Sequence, residues 1–245
     1  MARIANGRVA VVTGADRGLG QALSAGLLAR GWRVFAGQYM PDWPELSALA
    51  ATYPQTLTCV PLDVADMDTV QAAAQTVRAA AGQVDLLINN AGVGSPTSPR
   101  DLRQAQDYAE MHRLYDVNAL GPIRMVEAFL PLMDSSPLKR LCFVSSEAGS
   151  VGRARRTSWY GYCMSKAALN MAVKIMFNHL HPEGYTFRVY HPGWVRSYMS
   201  GKKNLEATLE PEDAARYALA YFLQDEGVDE DVLALRDWEG KPWEW

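Results

Sequence analysis

Apolar residues along this chain fall into two patterns that alternate. Short β-branched or apolar runs are separated by longer stretches in which apolar positions recur with helical period. The runs Arg8–Thr13, Trp32–Gly37, Leu57–Leu62, Val84–Asn89, Leu141–Ser145 and Phe187–His191 read as strands, and Val232–Leu235 adds a last one, about seven in all. Helical pattern covers Leu19–Arg30, closed by Gly31, and more weakly Pro44–Thr52. It returns at Asp66–Ala81, between a capping Asp66 and Gly82, then over about Leu102–Met133 and about Trp159–Leu180. A final helix starts at Pro211, with Glu212 and Asp213 where negative charge suits the helix dipole. Strands that lose their polar alternation are covered on both faces. Strand and helix in regular alternation then predict a doubly wound α/β fold: a parallel sheet with helices on both sides.

The 245 residues contain no Ser/Gly/Pro linker, charge run or repeat, so one domain is expected over 1–245. A net charge of 24 − 27 = −3 argues against a polyanionic partner such as nucleic acid. Neither a signal peptide nor an apolar run near the ~18 residues of a membrane span is present, so no membrane partner is expected. Cys59, Cys142 and Cys163 are odd in number and lack metal-ligand spacing, which fits a reducing cytoplasm. The four histidines form no cluster; His179 and His181 read as helix-end residues, and no metal is predicted.

Chemistry enters between the first strand and the first helix, at Thr13-Gly-Ala-Asp-Arg-Gly-Leu-Gly20. Glycines at 14, 18 and 20 allow a tight turn that brings backbone amides against a pyrophosphate, and the helix N-terminus adds its dipole. The spacing is T-G-x-x-x-G-x-G, with Asp16, Arg17 and Leu19 between the glycines, and it resembles the short-chain dehydrogenase/reductase family. That family has a Rossmann fold and transfers hydride between a nicotinamide cofactor and a carbonyl or alcohol carbon. Its other marks follow in order. Asp63 and Val64 end the third strand, where the resemblance implies a bond from Asp63 to the adenine amino group. Asn89-Asn90-Ala91-Gly92 matches the N-N-A-G that lines the cofactor. Asn118 matches the residue that holds a helix bend and a proton-relay water. Ser145-Ser146-Glu-Ala-Gly149 places Ser146 in the catalytic position. Pro192-Gly193-Trp-Val195-Arg-Ser197 matches P-G-x-V-x-T, with Ser for Thr, which contacts the nicotinamide amide.

Two tyrosines then compete for the proton-transfer role. Residues four apart share a helix face, and Tyr162 with Lys166 is such a pair, matching the family's Y-x-x-x-K. Tyr160 falls on another face. A phenol with a pKa of about 10 exchanges its proton poorly near neutrality. A cation about 4 Å away contributes roughly 4 kcal/mol at an effective dielectric of 20. That is about three pKa units, which predicts a Tyr162 phenol near neutrality. The expected catalytic set is Asn118, Ser146, Tyr162 and Lys166, with Lys166 also holding the nicotinamide ribose.

The sixteen positions from Ser146 to Tyr162, and the ending Arg236-Asp-Trp-Glu-Gly-Lys-Pro-Trp243, resemble the carbonyl-reductase branch that includes the C-factor and sniffer-type proteins. Arg153, Arg155 and Arg156 read as a solvated loop, with attraction of an anionic substrate as the sharper alternative. Residues 194–210 form the expected substrate-lid segment, too short to enclose a large substrate. The resemblance implies a homodimer or homotetramer through the helices containing Asn118 and Tyr162, with a monomer left open. Two functions compete: a carbonyl reductase acting on a small aldehyde or ketone, and a cofactor-binding sensor without turnover.

Two positions decide the cofactor. An acidic residue ending the second strand would accept from the ribose 2′-hydroxyl of NAD and repel a 2′-phosphate. Here the stretch is Phe35-Ala-Gly-Gln-Tyr39, with Gln38 in that place. Arg17 stands where NADP-preferring relatives carry a basic residue able to grip a phosphate. NADPH is therefore favoured over NAD, with Asp16 expected to pair with Arg17 or face solvent.

Overall fold

The computed structural model describes residues 7–199 and 201–245. Its strands are β1 (Val9–Val12), β2 (Arg33–Gln38), β3 (Leu57–Pro61), β4 (Leu86–Asn89), β5 (Arg140–Val144), β6 (Thr186–His191), β7 (Leu235–Asp237) and β8 (Pro242–Trp243). They form one sheet in the order β3-β2-β1-β4-β5-β6-β7-β8, parallel except for the antiparallel pair β7 and β8. The helices are α1 (Gly18–Leu28), α2 (Pro44–Thr52), α3 (Met67–Ala81), α4 (Tyr108–Tyr115), α5 (Gly121–Met133), α6 (Tyr160–Leu180) and α7 (Pro211–Phe222).

Every residue of β1, β4 and β5 is buried, because helices cover both sides of the sheet. One face packs Leu19, Leu23 and Leu27 of α1 with Leu219 and Phe222 of α7. The opposite face packs Val70 and Val77 of α3, Met125 and Phe129 of α5, and Leu169 and Val173 of α6. The doubly wound α/β reading is thus what the chain adopts. Because β1 lies between β2 and β4, successive connections leave in opposite directions and open a crevice at the carboxyl ends of these strands.

Three elements differ from their sequence reading. The helix expected from Leu102 begins at Tyr108, where the Asp107 side chain accepts from the Glu110 amide at 3.1 Å. The same stretch is not one helix: α4 and α5 are joined by a π-helical turn over Asp116–Leu120, which contains Asn118. At the C-terminus, strand pairing starts at Leu235 rather than Val232 and adds β8. Asp237 builds that hairpin, accepting from the amides of Glu239 and Lys241 at 3.0 and 2.9 Å and from Trp243 Nε1 at 2.9 Å. Among the described residues, no helix is long and apolar enough to cross a membrane.

Candidate active site

The glycine turn leads from β1 into α1 at the head of the crevice. Gly14 has φ +61°, and a Cβ there would stand 2.8 Å from Ala91 Cα, so only glycine lets the turn lie against the end of β4. Thr13 fixes this approach: its hydroxyl accepts from the amides of Asn90 and Ala91 at 3.0 and 2.9 Å. Asn90 Nδ2 in turn donates to the carbonyls of Thr13 and Gly14 at 2.9 and 3.1 Å. The Asn90 side chain therefore braces the turn. Among the described residues no side chain caps the first turn of α1, and a Cβ on Gly18, at φ +58°, would project into open space. Uncapped helix amides beside open space suit an anion, so these residues fit a dinucleotide pyrophosphate.

Asp16 departs from its expectation. It is buried and does not pair with Arg17; its carboxylate accepts from the amides of Tyr39 and Met40 at 3.2 and 2.7 Å. Arg17 has an extended backbone (φ −161°, ψ 171°), which sends neighbouring side chains to opposite sides. Its guanidinium carbon lies 4.2 Å from the ring centre of Trp43 and 4.9 Å from that of Tyr198. Among the described residues it makes no ion pair. Gln38 ends β2 half-buried, and Tyr39 beside it is exposed. Asp63 Oδ1 accepts from the Ala65 amide at 2.9 Å, and buried Val64 packs where a Cβ on Gly121 would meet its Cγ2.

The other cluster gathers at the ends of β4 and β5 and on α6. Tyr162 and Lys166 lie on one buried face of α6, with Lys166 Nζ 6.0 Å from the phenol ring centre. A Cβ on Gly92 would stand 3.4 Å from Asn118 Oδ1 and 3.6 Å from Lys166 Nζ, so Gly92 lets the end of β4 lie close to both polar groups. Asn118 Oδ1 accepts from the Val93 amide at 2.8 Å, while Nδ2 donates to Val93 O and Ser165 Oγ, both at 3.0 Å. Those bonds hold the π turn. Ser146 accepts from the Ala148 amide at 3.1 Å and opens a short 3₁₀ turn over Glu147–Gly149.

Electrostatics correct the expected phenol near neutrality. Burial pushes the Tyr162 phenol up to about 12, against the pull of its hydrogen bond with Ser146. Burial also brings the Lys166 ammonium down to about 8. Lys166 Nζ donates to the Val144 carbonyl at 3.1 Å rather than lying against the phenol oxygen. Tyr162 is consequently a proton-bearing group throughout the neutral range.

The loop between Ser146 and Tyr162 is anchored, not simply solvated. Arg156 grips Glu147 through two bonds of 2.7 and 2.5 Å. Burial would raise the Glu147 carboxyl, but the hydrogen bonds and charge of Arg156 outweigh it and hold it below its usual value. Arg153 stacks on Trp243 at 4.1 Å, and the Gly152 amide donates to Trp245 O at 3.1 Å, so the C-terminal hairpin clasps this loop. Arg155 donates to the adjacent Ala154 carbonyl at 3.0 Å. Tyr160 donates to Thr157 O at 3.3 Å at the entrance of α6, away from the cluster.

After β6 the chain turns through Pro192 and Gly193, the latter at φ +77°, and enters the segment expected to be the lid. Val195 bridges Leu209, the Ser197 carbonyl accepts from the Asn204 amide at 3.0 Å, and Arg196 pairs with Glu210 at 2.5 Å. Met199 O accepts from the Gly94 amide at 3.0 Å, which ties this segment to the loop after β4.

A glycine turn and a Ser–Tyr–Lys cluster on one Rossmann sheet agree with comparison to known proteins. A family model described as short chain dehydrogenase matches residues 8–208. The chain belongs to the short chain dehydrogenase family. It is an NAD(P)-dependent oxidoreductase acting on CH–OH and carbonyl groups. The dehydrogenase is 45% identical over 136 residues to C-signal of Myxococcus xanthus, covering 55% of this chain and 78% of that protein. Its structure is similar to NADPH-bound carbonyl reductase from chicken fatty liver, with TM-score 0.85, 29% identity and 97% and 99% of the two chains covered. It shares its fold with carbonyl reductase Sniffer of D. melanogaster, with TM-score 0.85, 24% identity and 98% and 99% coverage.

Sequence reasoning passed over Thr13 and Asn170 as site residues of this dehydrogenase. Asn170 Oδ1 accepts from Ser145 Oγ at 2.6 Å, and its Nδ2 donates to Gly149 O at 3.1 Å, holding both sides of Ser146. The signal was available: Asn170 continues the i, i+4 spacing of Tyr162 and Lys166 along one face of α6.

Proposed function

We propose that this dehydrogenase reduces a small aldehyde or ketone to its alcohol, using NADPH. The observation that carries the reading is a buried phenol that shares one face of α6 with a lysine and meets Ser146 at the end of β5. Tyr162 gives its proton to the carbonyl oxygen, and Ser146 donates a hydrogen bond to the charge developing on that oxygen. Bound NADPH supplies the hydride that reaches the carbonyl carbon. Lys166 holds the ribose hydroxyls of the nicotinamide nucleotide and returns positive charge to the neighbourhood of Tyr162. Asn118 fixes the π turn and with it the approach to Lys166, completing the proton path to solvent. Gly14, Gly18, Leu19 and Gly20 take the pyrophosphate, while Asp63, Val64, Asn90, Ala91 and Gly92 line the adenosine and ribose side. Pro192, Gly193, Val195 and Ser197 face the nicotinamide amide.

Arg17, with no carboxylate partner among the described residues, and Gln38, in place of an acidic residue, support a 2′-phosphate subsite. The NADPH-bound chicken reductase supports the same choice of cofactor. A cytoplasmic site of action fits the three free cysteines. Association through α4 and α6 is supported by the exposed apolar side chains Tyr108, Met164, Met171 and Ile175, and light scattering on the purified protein would show a dimer or tetramer.

The test is NADPH oxidation with a panel of aldehydes, ketones and quinones. Turnover of a carbonyl compound is expected. Tight cofactor binding with no turnover on any member would instead support a sensor.

A further inference from the structure

The guanidinium of Arg17 is more than a surface cation. It lies against two aromatic rings that come from separate segments of the chain and also touch each other. Trp43 stands immediately before α2, and Tyr198 belongs to the lid. The rings meet edge to face at 5.0 Å, so cation and aromatics form one continuous arch. Arg17 Nη2 also reaches the Tyr198 carbonyl at 3.5 Å, which ties the lid backbone to the glycine turn.

A guanidinium carries five N–H donors, and in Arg17 one on Nη2 is directed at the Tyr198 carbonyl, which leaves others for a phosphate. The two demands therefore do not compete. Among the described residues the buried Trp43 indole N–H has no acceptor, so the arch carries an unmet polar group and is not a purely stabilising contact. An element balanced in this way responds to a ligand that fixes one of its members.

We infer that the Arg17–Trp43–Tyr198 arch couples occupation of the 2′-phosphate subsite to closure of the substrate lid. This rests on the assignment of Arg17 to the 2′-phosphate and goes beyond it. A phosphate in the guanidinium plane immobilises Arg17, Tyr198 then keeps its seat, and Met199 stays bonded to the Gly94 amide. The cofactor bearing the 2′-phosphate thereby closes the lid more firmly than the cofactor lacking it. Tyr198 and Trp43 are positioning residues, acting on cofactor choice through Arg17.

The experiment uses two fragments, 2′,5′-ADP and 5′-AMP, which differ only by the 2′-phosphate and lack the nicotinamide and its ribose. Hydrogen exchange of the full chain is followed at equal saturation, at the lid amides of Arg196, Asn204 and Leu209 and at Gly94. All four donate to backbone carbonyls, the first three within the lid and Gly94 to it. Exchange there should be slower by about fivefold or more with 2′,5′-ADP than with 5′-AMP. Tyr198→Leu should abolish that difference, and Tyr198→Phe, which keeps the ring, should retain it. By linkage, Tyr198→Leu should weaken 2′,5′-ADP by the same factor and leave 5′-AMP unchanged. If 2′,5′-ADP binds no more tightly than 5′-AMP, or neither binds, the 2′-phosphate assignment falls and the coupling with it. Tighter binding of 2′,5′-ADP with equal lid exchange, or with faster exchange, overturns the coupling alone.

Discussion

Replacing Lys166 by methionine isolates what it costs the fold to hold a lysine ready at this site. Burial lowers its pKa from 10.5 to about 8, so between those values the unfolded chain binds more protons than the folded one. Stability therefore rises with pH through this window. In the opposite direction, the contribution is lost as pH falls through about 8. The shift of about 2.5 units corresponds to roughly 3 kcal/mol at about pH 7. Most of it, about 2.5 kcal/mol, is relieved by about pH 10. The methionine variant has no such titration. It also loses the bond to Val144 O, but that loss does not vary with pH and leaves the slope untouched. Thermal unfolding of both proteins from about pH 7 to about pH 10 should show their Tm difference moving by about 5–10 °C, in favour of wild type at the alkaline end. Parallel curves would refute a desolvated Lys166. The raised Tyr162 pKa adds no slope in this range, because both folded and unfolded phenols stay largely protonated below about 10.

Two further outcomes are expected. Arg17→Ala should weaken NADPH roughly ten- to a hundredfold more than NADH by direct binding measurement, the value of one lost charge-assisted contact; any loss common to both cofactors reports the broken stack on Trp43. Asp16→Ala strands the amides of Tyr39 and Met40 and should destabilise the protein by about 2 kcal/mol, lowering Tm by about 4–8 °C. An unchanged Tm would remove Asp16 from the account.

The alternation of runs and periods made the parallel sheet legible because its inner strands are buried on both faces and show no polar positions. Five of the six motif segments end or follow a strand at its carboxyl end, and the sixth, at Asn118, is tied to the end of β4 by its bonds to Val93. Less visible were features set by burial. The spacing of Tyr162 and Lys166 placed them on one face, but not where the ammonium points; it bonds Val144 O, and both groups are desolvated. Adjacency suggested a pair between Asp16 and Arg17, whereas extended backbone at Arg17 separates them. The π turn at Asn118 has no periodic signature, because a single widened turn shifts the register by only one residue. Strand β8 spans two residues and begins with proline, so its pairing depends on the Asp237 turn rather than on β propensity.

The central claim is that Tyr162 is the proton donor of a carbonyl reduction, and the most direct measurement compares Tyr162→Phe with Tyr160→Phe. Both remove one hydroxyl from α6 with little change in volume, so folding is preserved in each. With a carbonyl substrate identified from the panel, NADPH oxidation by Tyr162→Phe should fall by about two to four orders of magnitude, the usual contribution of a general acid. Tyr160→Phe, which loses only a bond to Thr157 O, should retain most of its turnover. Full activity in Tyr162→Phe, or its loss in Tyr160→Phe alone, would contradict the assignment.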